Sequence, residues 1–257
     1  MKKVYFASDF HLGAPNYTES LRREKQVVNW LNEIKPTTQA LYLMGDLFDF
    51  WFDYKTVVPK GYVRLLAKIA DFTDCGIPVY LFTGNHDMWL FGYFENELGV
   101  TLIRKPINQT IMGKKFYLAH GDGLGPGDKG YKFIKKVFEN KLCQWAFKWL
   151  HPDLGIGLAN YFSKSSRAAT GDSDAQFLGE DKEWLIIHSK NVLQKEHFDY
   201  FVYGHRHYPI VFQLENSQYV NLGDWITYFT YAEFDGQKLE LKQYQKAKPT
   251  AAIHGNG

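Results

Sequence analysis

Five short runs of aliphatic and aromatic residues recur along the chain, and each stops in a polar cluster. They are VYFASDFH from Val4, ALYLMGDLFD from Ala40, PVYLFTGNHD from Pro78, FYLAHGD from Phe116 and YFVYGHRH from Tyr200. Runs this short and this apolar predict buried β-strands. Between the first three the apolar spacing lengthens to that of a helix. Leu21, Val27, Val28, Leu31 and Ile34 mark one helix over 19–34, and Val63, Leu65, Leu66, Ile69 and Ala70 a second over 61–74. Strands alternating with helices predict a βαβ layer. Elsewhere the pattern is that of hairpins. TIMGKKFYLAH turns at Met112–Lys114, VFQLENSQYVNLG at Glu215–Ser217, and YFTYAEFDGQKLELKQ at Asp235–Gly236. Two mixed sheets packed face to face under helices are the simplest α/β assembly.

Residues 122–170 do not follow that rhythm. Ile134, Val137, Phe138, Leu142, Trp145 and Trp149 form one apolar stripe at helical spacing, with Lys132, Lys135, Lys136, Lys141 and Lys148 around it and LGIGLANYF at 154–162. The stripe fits a helix packed into a core as well as it fits a ligand pocket. Residues 122–170 are read as a helical insertion capping the strand ends, with 174–196 returning as a core helix. The core is then 1–121 and 171–246. The tail 247–257 has no periodicity and is expected to be disordered.

Composition narrows the possibilities. A net charge of +2 and the lack of a basic, aromatic track argue against a nucleic-acid partner. The two cysteines, Cys75 and Cys143, belong to no CxxC pair, which argues against a zinc finger or disulfide framework and suits a reducing compartment. The first apolar run reaches only about five residues before Asp9, too short for a signal peptide, and no stretch approaches the roughly 18 apolar residues of a membrane span. A cytoplasmic protein, soluble or peripheral, is expected.

The polar clusters carry the chemistry. In open α/β sheets, ligands bind beyond the carboxyl ends of the strands. Asp9 and His11, Asp46 and Asp49, Asn85, His86 and Asp87, His120 and Asp122, and His205 and His207 all fall at such ends. Each pair alone would be an ordinary turn or helix cap; five in succession are not. Carboxylate and amide oxygens mixed with imidazoles, and no thiolate, suit Mn²⁺, Fe²⁺ or Zn²⁺. Two such ions need a shared ligand, for which Asp46 on the central strand is the natural candidate, and such pairs activate water for in-line attack at phosphorus.

The motifs D-x-H, GD-x-x-D, GNH-D, H-G-D and GH-x-H, in this order, resemble those of the calcineurin-like metallophosphoesterases over residues 4–224. The resemblance implies a four-layer α/β/β/α sandwich. It also implies two divalent ions, one held by Asp9, His11, Asp46 and His207, the other by Asp46, Asn85, His120 and His205. Within that superfamily, ASDFHLG, GDLFDFWF, AHGD followed by Asp128, and the helical insertion are similar to the UDP-2,3-diacylglucosamine pyrophosphatases of lipid A synthesis. Those Mn²⁺ enzymes release UMP and 2,3-diacylglucosamine 1-phosphate at the inner membrane, with acyl chains in the insertion.

This narrower resemblance implies a nucleotide-linked glycolipid substrate contacted by Asn85, His86, Asp128, Ser166 and His205. His86 would assist the leaving group or hold a phosphoryl oxygen, Asp49 would orient His86, and Asp122 would support His120. The chain departs from those enzymes where they read Gly-Asn-Arg-Asp and it reads Gly84–Asn85–His86–Asp87, and where Thr170 replaces an asparagine. A soluble metallophosphodiesterase or phosphatase paralogue with a different phosphate ester is the alternative. A metal-free binding scaffold is a third reading, opposed by competent donors at every position.

Overall fold

The computed structural model describes residues 1–125, 129–170, 177 and 179–244, with backbone alone at 129–131 and 164–170. The expected tail, 247–257, lies outside the described residues. In chain order the first half comprises β1 (Lys3–Ala7), α1 (Tyr17–Ile34), β2 (Thr38–Leu43), α2 (Val63–Asp74), β3 (Val79–Phe82), α3 (Tyr93–Leu98), β4 (Thr101–Ile103), β5 (Ile107–Ile111) and β6 (Lys114–Ala119). Three helices follow: α4 (Lys129–Glu139), α5 (Lys141–Lys148) and α6 (Pro152–Thr170). The remainder is α7 (Trp184–Leu193), β7 (Tyr200–Tyr203), β8 (Ile210–Leu214), β9 (Ser217–Asn221), β10 (Thr230–Phe234) and β11 (Leu239–Gln243).

The strands form two mixed sheets, ordered β11-β10-β1-β2-β3-β4 and β5-β6-β7-β9-β8. In the first, β1 to β4 run parallel; in the second, β6, β7 and β9 do. The three anticipated hairpins are the antiparallel pairs β5–β6, β8–β9 and β10–β11. Alternate residues of each strand serve different layers, as the pleat requires. Val4 and Phe6 of β1 face Phe116, Leu118 and Val202 between the sheets. Their neighbours Tyr5 and Ala7 point the other way, onto Val27 and Trp30 of α1 and Leu65 of α2. On the far side Tyr117, Phe201 and Tyr203 pack on Leu185 and Ile186 of α7. These three apolar layers hold the four-layer sandwich together. Because both faces of the central strands are covered, the strands read as unbroken apolar runs.

Two expectations change. The stripe from Ile134 to Trp149 is not one helix: the Asn140 side chain accepts the N–H groups of Leu142 at 2.8 Å and Cys143 at 3.3 Å, ending α4 and capping a new helix. Nor is it core, since Leu142, Trp145 and Trp149 are 70%, 59% and 76% exposed. The returning helix is also shorter than 174–196. Gly179 is left-handed at φ 94°, and its carbonyl takes the N–H of Lys182 and Glu183 in a turn, so α7 starts only at Trp184. Residues 171–176 and 178 lie outside the described residues. Among the described residues no helix is long and apolar enough to cross a membrane.

Phe116 is buried where the sheets meet, with ring centroids 4.8 Å from Tyr200 and 5.0 Å from Phe234. Truncation to alanine leaves a cavity and is expected to cost about 3–5 kcal/mol. Urea unfolding should show this as a lower midpoint at unchanged slope.

Candidate metal centre

The parallel strands of each sheet deliver their carboxyl ends, and the loops that follow them, to a common region. Those loops are strained. Asp9, His11, Asp46 and His205 adopt φ of 56°, 44°, 53° and 66°, a region unusual for residues with a side chain. Each such residue costs on the order of 1–3 kcal/mol and persists only where its surroundings dictate it. Here the loops pin one another: the N–H groups of Asp9, His11 and Leu12 donate to the carbonyls of Gly45, Asp46 and Leu47 at 3.0, 3.0 and 2.9 Å. Two glycines let the loops approach. A Cβ on Gly84 would collide with Asp46 Oδ1, and one on Gly204 would sit 2.7 Å from Asp9 Oδ2.

The side chains converge as three donor groups among the described residues. These are Asp9, His11 and His207; His11, Asp46 and His86; and Asp46, His120 and His205, with the donor atoms of each group within 4.8 Å of one another. Asp46 belongs to two of them. Its Oδ2 lies 3.8 Å from His11 Nε2 and 3.4 Å from His120 Nε2, while Asp9 Oδ1 is 3.6 Å from the Nε2 atoms of His11 and His207. Asn85 Oδ1 joins at 2.9 Å from His205 Nδ1 and 3.3 Å from His120 Nε2. Most of the carboxylate–imidazole separations exceed a hydrogen bond. Asp9 Oδ1 and His11 Nδ1 are in fact buried without a hydrogen-bond partner. Orphaned buried donors and acceptors are costly, and oxygens and imidazoles facing one another in this way fit divalent cations. The residues anticipated as metal ligands thus come together.

The electrostatics agree. Burial pushes the His11 imidazole down to about 4, leaving it neutral and able to ligate. Burial would do the same to His120, but the Asp46 carboxylate beside it prevails and pushes it up to about 10. Burial opposes ionisation of Asp46 in turn, yet His120, His86 and His11 hold its carboxyl well below the usual range. A cation held by Asp46 and His120 would therefore displace a proton.

A second layer orients these groups. His120 Nδ1–H donates to the Met44 carbonyl at 2.8 Å. Asp87, buried, accepts from the N–H groups of Gly84 at 2.8 Å and Leu47 at 2.8 Å and so joins the loops after β2 and β3. Burial and the nearby Asp46 charge push its carboxyl up to about 7. Asp224 faces His207, with Oδ2 3.8 Å from Nδ1, and is itself held by the N–H groups of Ile226, Thr227 and Tyr228 at 3.2, 2.8 and 3.0 Å. It was absent from the residues singled out in the sequence. Its signal was there: YVNLGD is one more strand that ends in Gly-Asp.

Two supporting residues act in a particular way. His86 Nδ1–H reaches the main-chain carbonyl of Asp49 at 3.1 Å, whereas the Asp49 carboxylate stays 3.8 Å from it and 3.9 Å from His11. Asp122 pairs with Lys135 of α4 at 2.5 Å and acts on His120 through its charge, while the Met44 carbonyl takes the His120 Nδ1–H. Asp128 and the side chains of Ser166 and Thr170 lie outside the described residues. Ser163, earlier on α6, brings its Oγ to 3.4 Å from His86 Nδ1. The insertion also docks through Trp89, whose Nε1 donates to the Phe138 carbonyl at 2.8 Å while its ring lies 4.7 Å from Phe147.

Comparison with known proteins matches the calcineurin-like phosphoesterase family model to residues 2–209. The chain is 35% identical to UDP-2,3-diacylglucosamine hydrolase of Porphyromonas gingivalis, covering 95% of this chain and 98% of that one. It is 28% identical to the protein of that name from Haemophilus ducreyi, covering 88% and 92%. Among solved structures, an archaeal phosphodiesterase superposes with a TM-score of 0.47 at 13% identity, covering 94% of this chain and 99% of that one.

Asp224→Asn keeps the shape of the side chain but removes the charge facing His207. Changes to such outer partners typically cost 10–100-fold in metal affinity. Isothermal titration with Mn²⁺ should record that loss while the far-ultraviolet circular dichroism is unchanged.

Proposed function

The chain belongs to the calcineurin-like phosphoesterase family, and from that premise we propose that it hydrolyses the pyrophosphate of UDP-2,3-diacylglucosamine to UMP and 2,3-diacylglucosamine 1-phosphate, a step of lipid A synthesis. The observation that carries the chemistry is the placement of Asp46 Oδ2 between the two ligand sets, 3.8 Å from His11 Nε2 and 3.4 Å from His120 Nε2. A carboxylate bridging two adjacent cations is the usual centre of a two-metal phosphoesterase. The substrate reading is supported by the near-full-length match to the Porphyromonas gingivalis hydrolase and by the exposed apolar side chains of the insertion.

In this reading Asp9, His11, Asp46 and His207 hold one divalent ion and Asp46, Asn85, His120 and His205 the other, with Mn²⁺ as the native metal. When bound, such ions lower the pKa of water and neutralise charge developing on phosphoryl oxygens. His86 donates its Nδ1–H to the Asp49 carbonyl in a hydrogen bond, which fixes the tautomer and leaves Nε2 for the substrate. The departing group is itself a phosphate and needs little help from an acid. The larger gain comes from His86, Asn85 and His205 holding phosphoryl oxygens, with Asp128 and Ser166 as further contacts. Residues 122–170 act as the lid that receives acyl chains. Its lysines and exposed tryptophans seat the protein peripherally on the anionic cytoplasmic face of the inner membrane.

With Mn²⁺ the purified protein is expected to release UMP from UDP-2,3-diacylglucosamine far faster than it hydrolyses bis-p-nitrophenyl phosphate. Turnover of the simple diester with no UMP release would assign it to a different phosphate ester. His86→Ala should lower kcat by about 10²–10³-fold, the loss typical of one preorganised transition-state contact, at full metal content. Asp46→Ala should lose metal and turnover together, as elemental analysis beside the rate assay would show.

A further inference from the structure

His11 differs from the other imidazoles of the centre. His120 is oriented through its second nitrogen by the Met44 carbonyl, His86 by that of Asp49, and His207 faces Asp224. His11 Nδ1 is buried with no hydrogen-bond partner. Its Nε2 meets His207 Nε2 at 3.0 Å, so with Nδ1 unheld the ring is aimed from the metal side and from its backbone, held at φ 44°. That backbone is clamped at both ends. Its N–H donates to the Asp46 carbonyl at 3.0 Å, and its carbonyl accepts from Arg23 Nη2 at 3.0 Å. The same guanidinium nitrogen also donates to the Ala14 carbonyl, and one turn earlier on α1 Ser20 Oγ accepts the Gly13 N–H at 2.7 Å. Arg23 is only 5% exposed. A buried guanidinium is costly to desolvate, and much of what it gains here is a fixed conformation for residues 11–14.

We infer that Arg23 is a positioning residue for one of the two cation positions, the one bounded by Asp9, His11 and His207, and that the position bounded by Asp46, His120 and His205 does not depend on it. The inference rests on the two-cation reading above. Arg23 reaches the centre through the His11 main chain.

The test is a Mn²⁺ titration of the full chain followed by low-temperature electron paramagnetic resonance. The unaltered protein should bind two ions and give a spin-coupled spectrum; binding of none would overturn the two-cation reading itself. Arg23→Met should keep one ion at near-native affinity and weaken the other by about 10–100-fold, so that isolated-ion signals replace the coupled spectrum at stoichiometric metal. Arg23→Lys keeps the charge without the planar fork and should fall between the two. Equal weakening of both ions, as a loosened fold would give, or no change in either, overturns the inference. If the methionine variant does not fold, the lysine variant is judged by the same separation of the two steps.

Discussion

The centre depends on keeping the Asp46 carboxylate ionised where there is no water. Removing a carboxylate from solvent costs several kcal/mol after relaxation, and Asp46 is buried on all sides. Three imidazoles and the His86 N–H, 2.9 Å from Oδ1, offset that cost. Divalent cations do so more completely, because they add charge at the point where the donors converge. The left-handed residues, the close-approach glycines and the clamp on His11 all serve to hold these groups within reach of one carboxylate.

The sandwich meets that demand through its symmetry of construction. Two sheets whose parallel strands end together deliver short loops to one rim, and each loop is braced by its neighbour, as Asp9 is by Gly45 and the Asp46 loop by Asp87. Strain of this kind is tolerable because three apolar layers beneath it are tightly filled. Phe6, stacked between Tyr42 and Phe116 at 5.0 and 5.8 Å, belongs to the layer directly between the sheets.

Much of this was legible in the residues themselves. Val4–Phe6, Leu41–Leu43 and Phe201–Tyr203 announce strands because they are covered on both faces, and the donors follow directly in sequence. Supporting roles were harder to read because they depend on distance in space. Asp49 and Asp122 sit in the right motifs, yet a main-chain carbonyl does the orienting in each case. Asp224 repeats the Gly-Asp signal but comes after an edge hairpin with no histidine to draw attention to it. The stripe at Ile134–Trp149 has a helical period that cannot distinguish a buried face from an exposed one, and the break at Asn140 is set by one capping side chain. Arg23 carries no motif, since the carbonyls of His11 and Ala14 that it holds are main-chain oxygens that any residue could supply.

The donors are drawn from Asp9 at one end of the chain to His207 near the other, on loops of both sheets. No fragment and no partly folded state places them side by side, so high affinity for the ions is a property of the native form alone. Mass action then ties folding to the ionic medium: each tenfold excess of free cation over its dissociation constant adds about 1.4 kcal/mol per site to the native state. The temperature at which the chain melts would accordingly gauge the available metal, and a chelator would act on this protein as a mild denaturant.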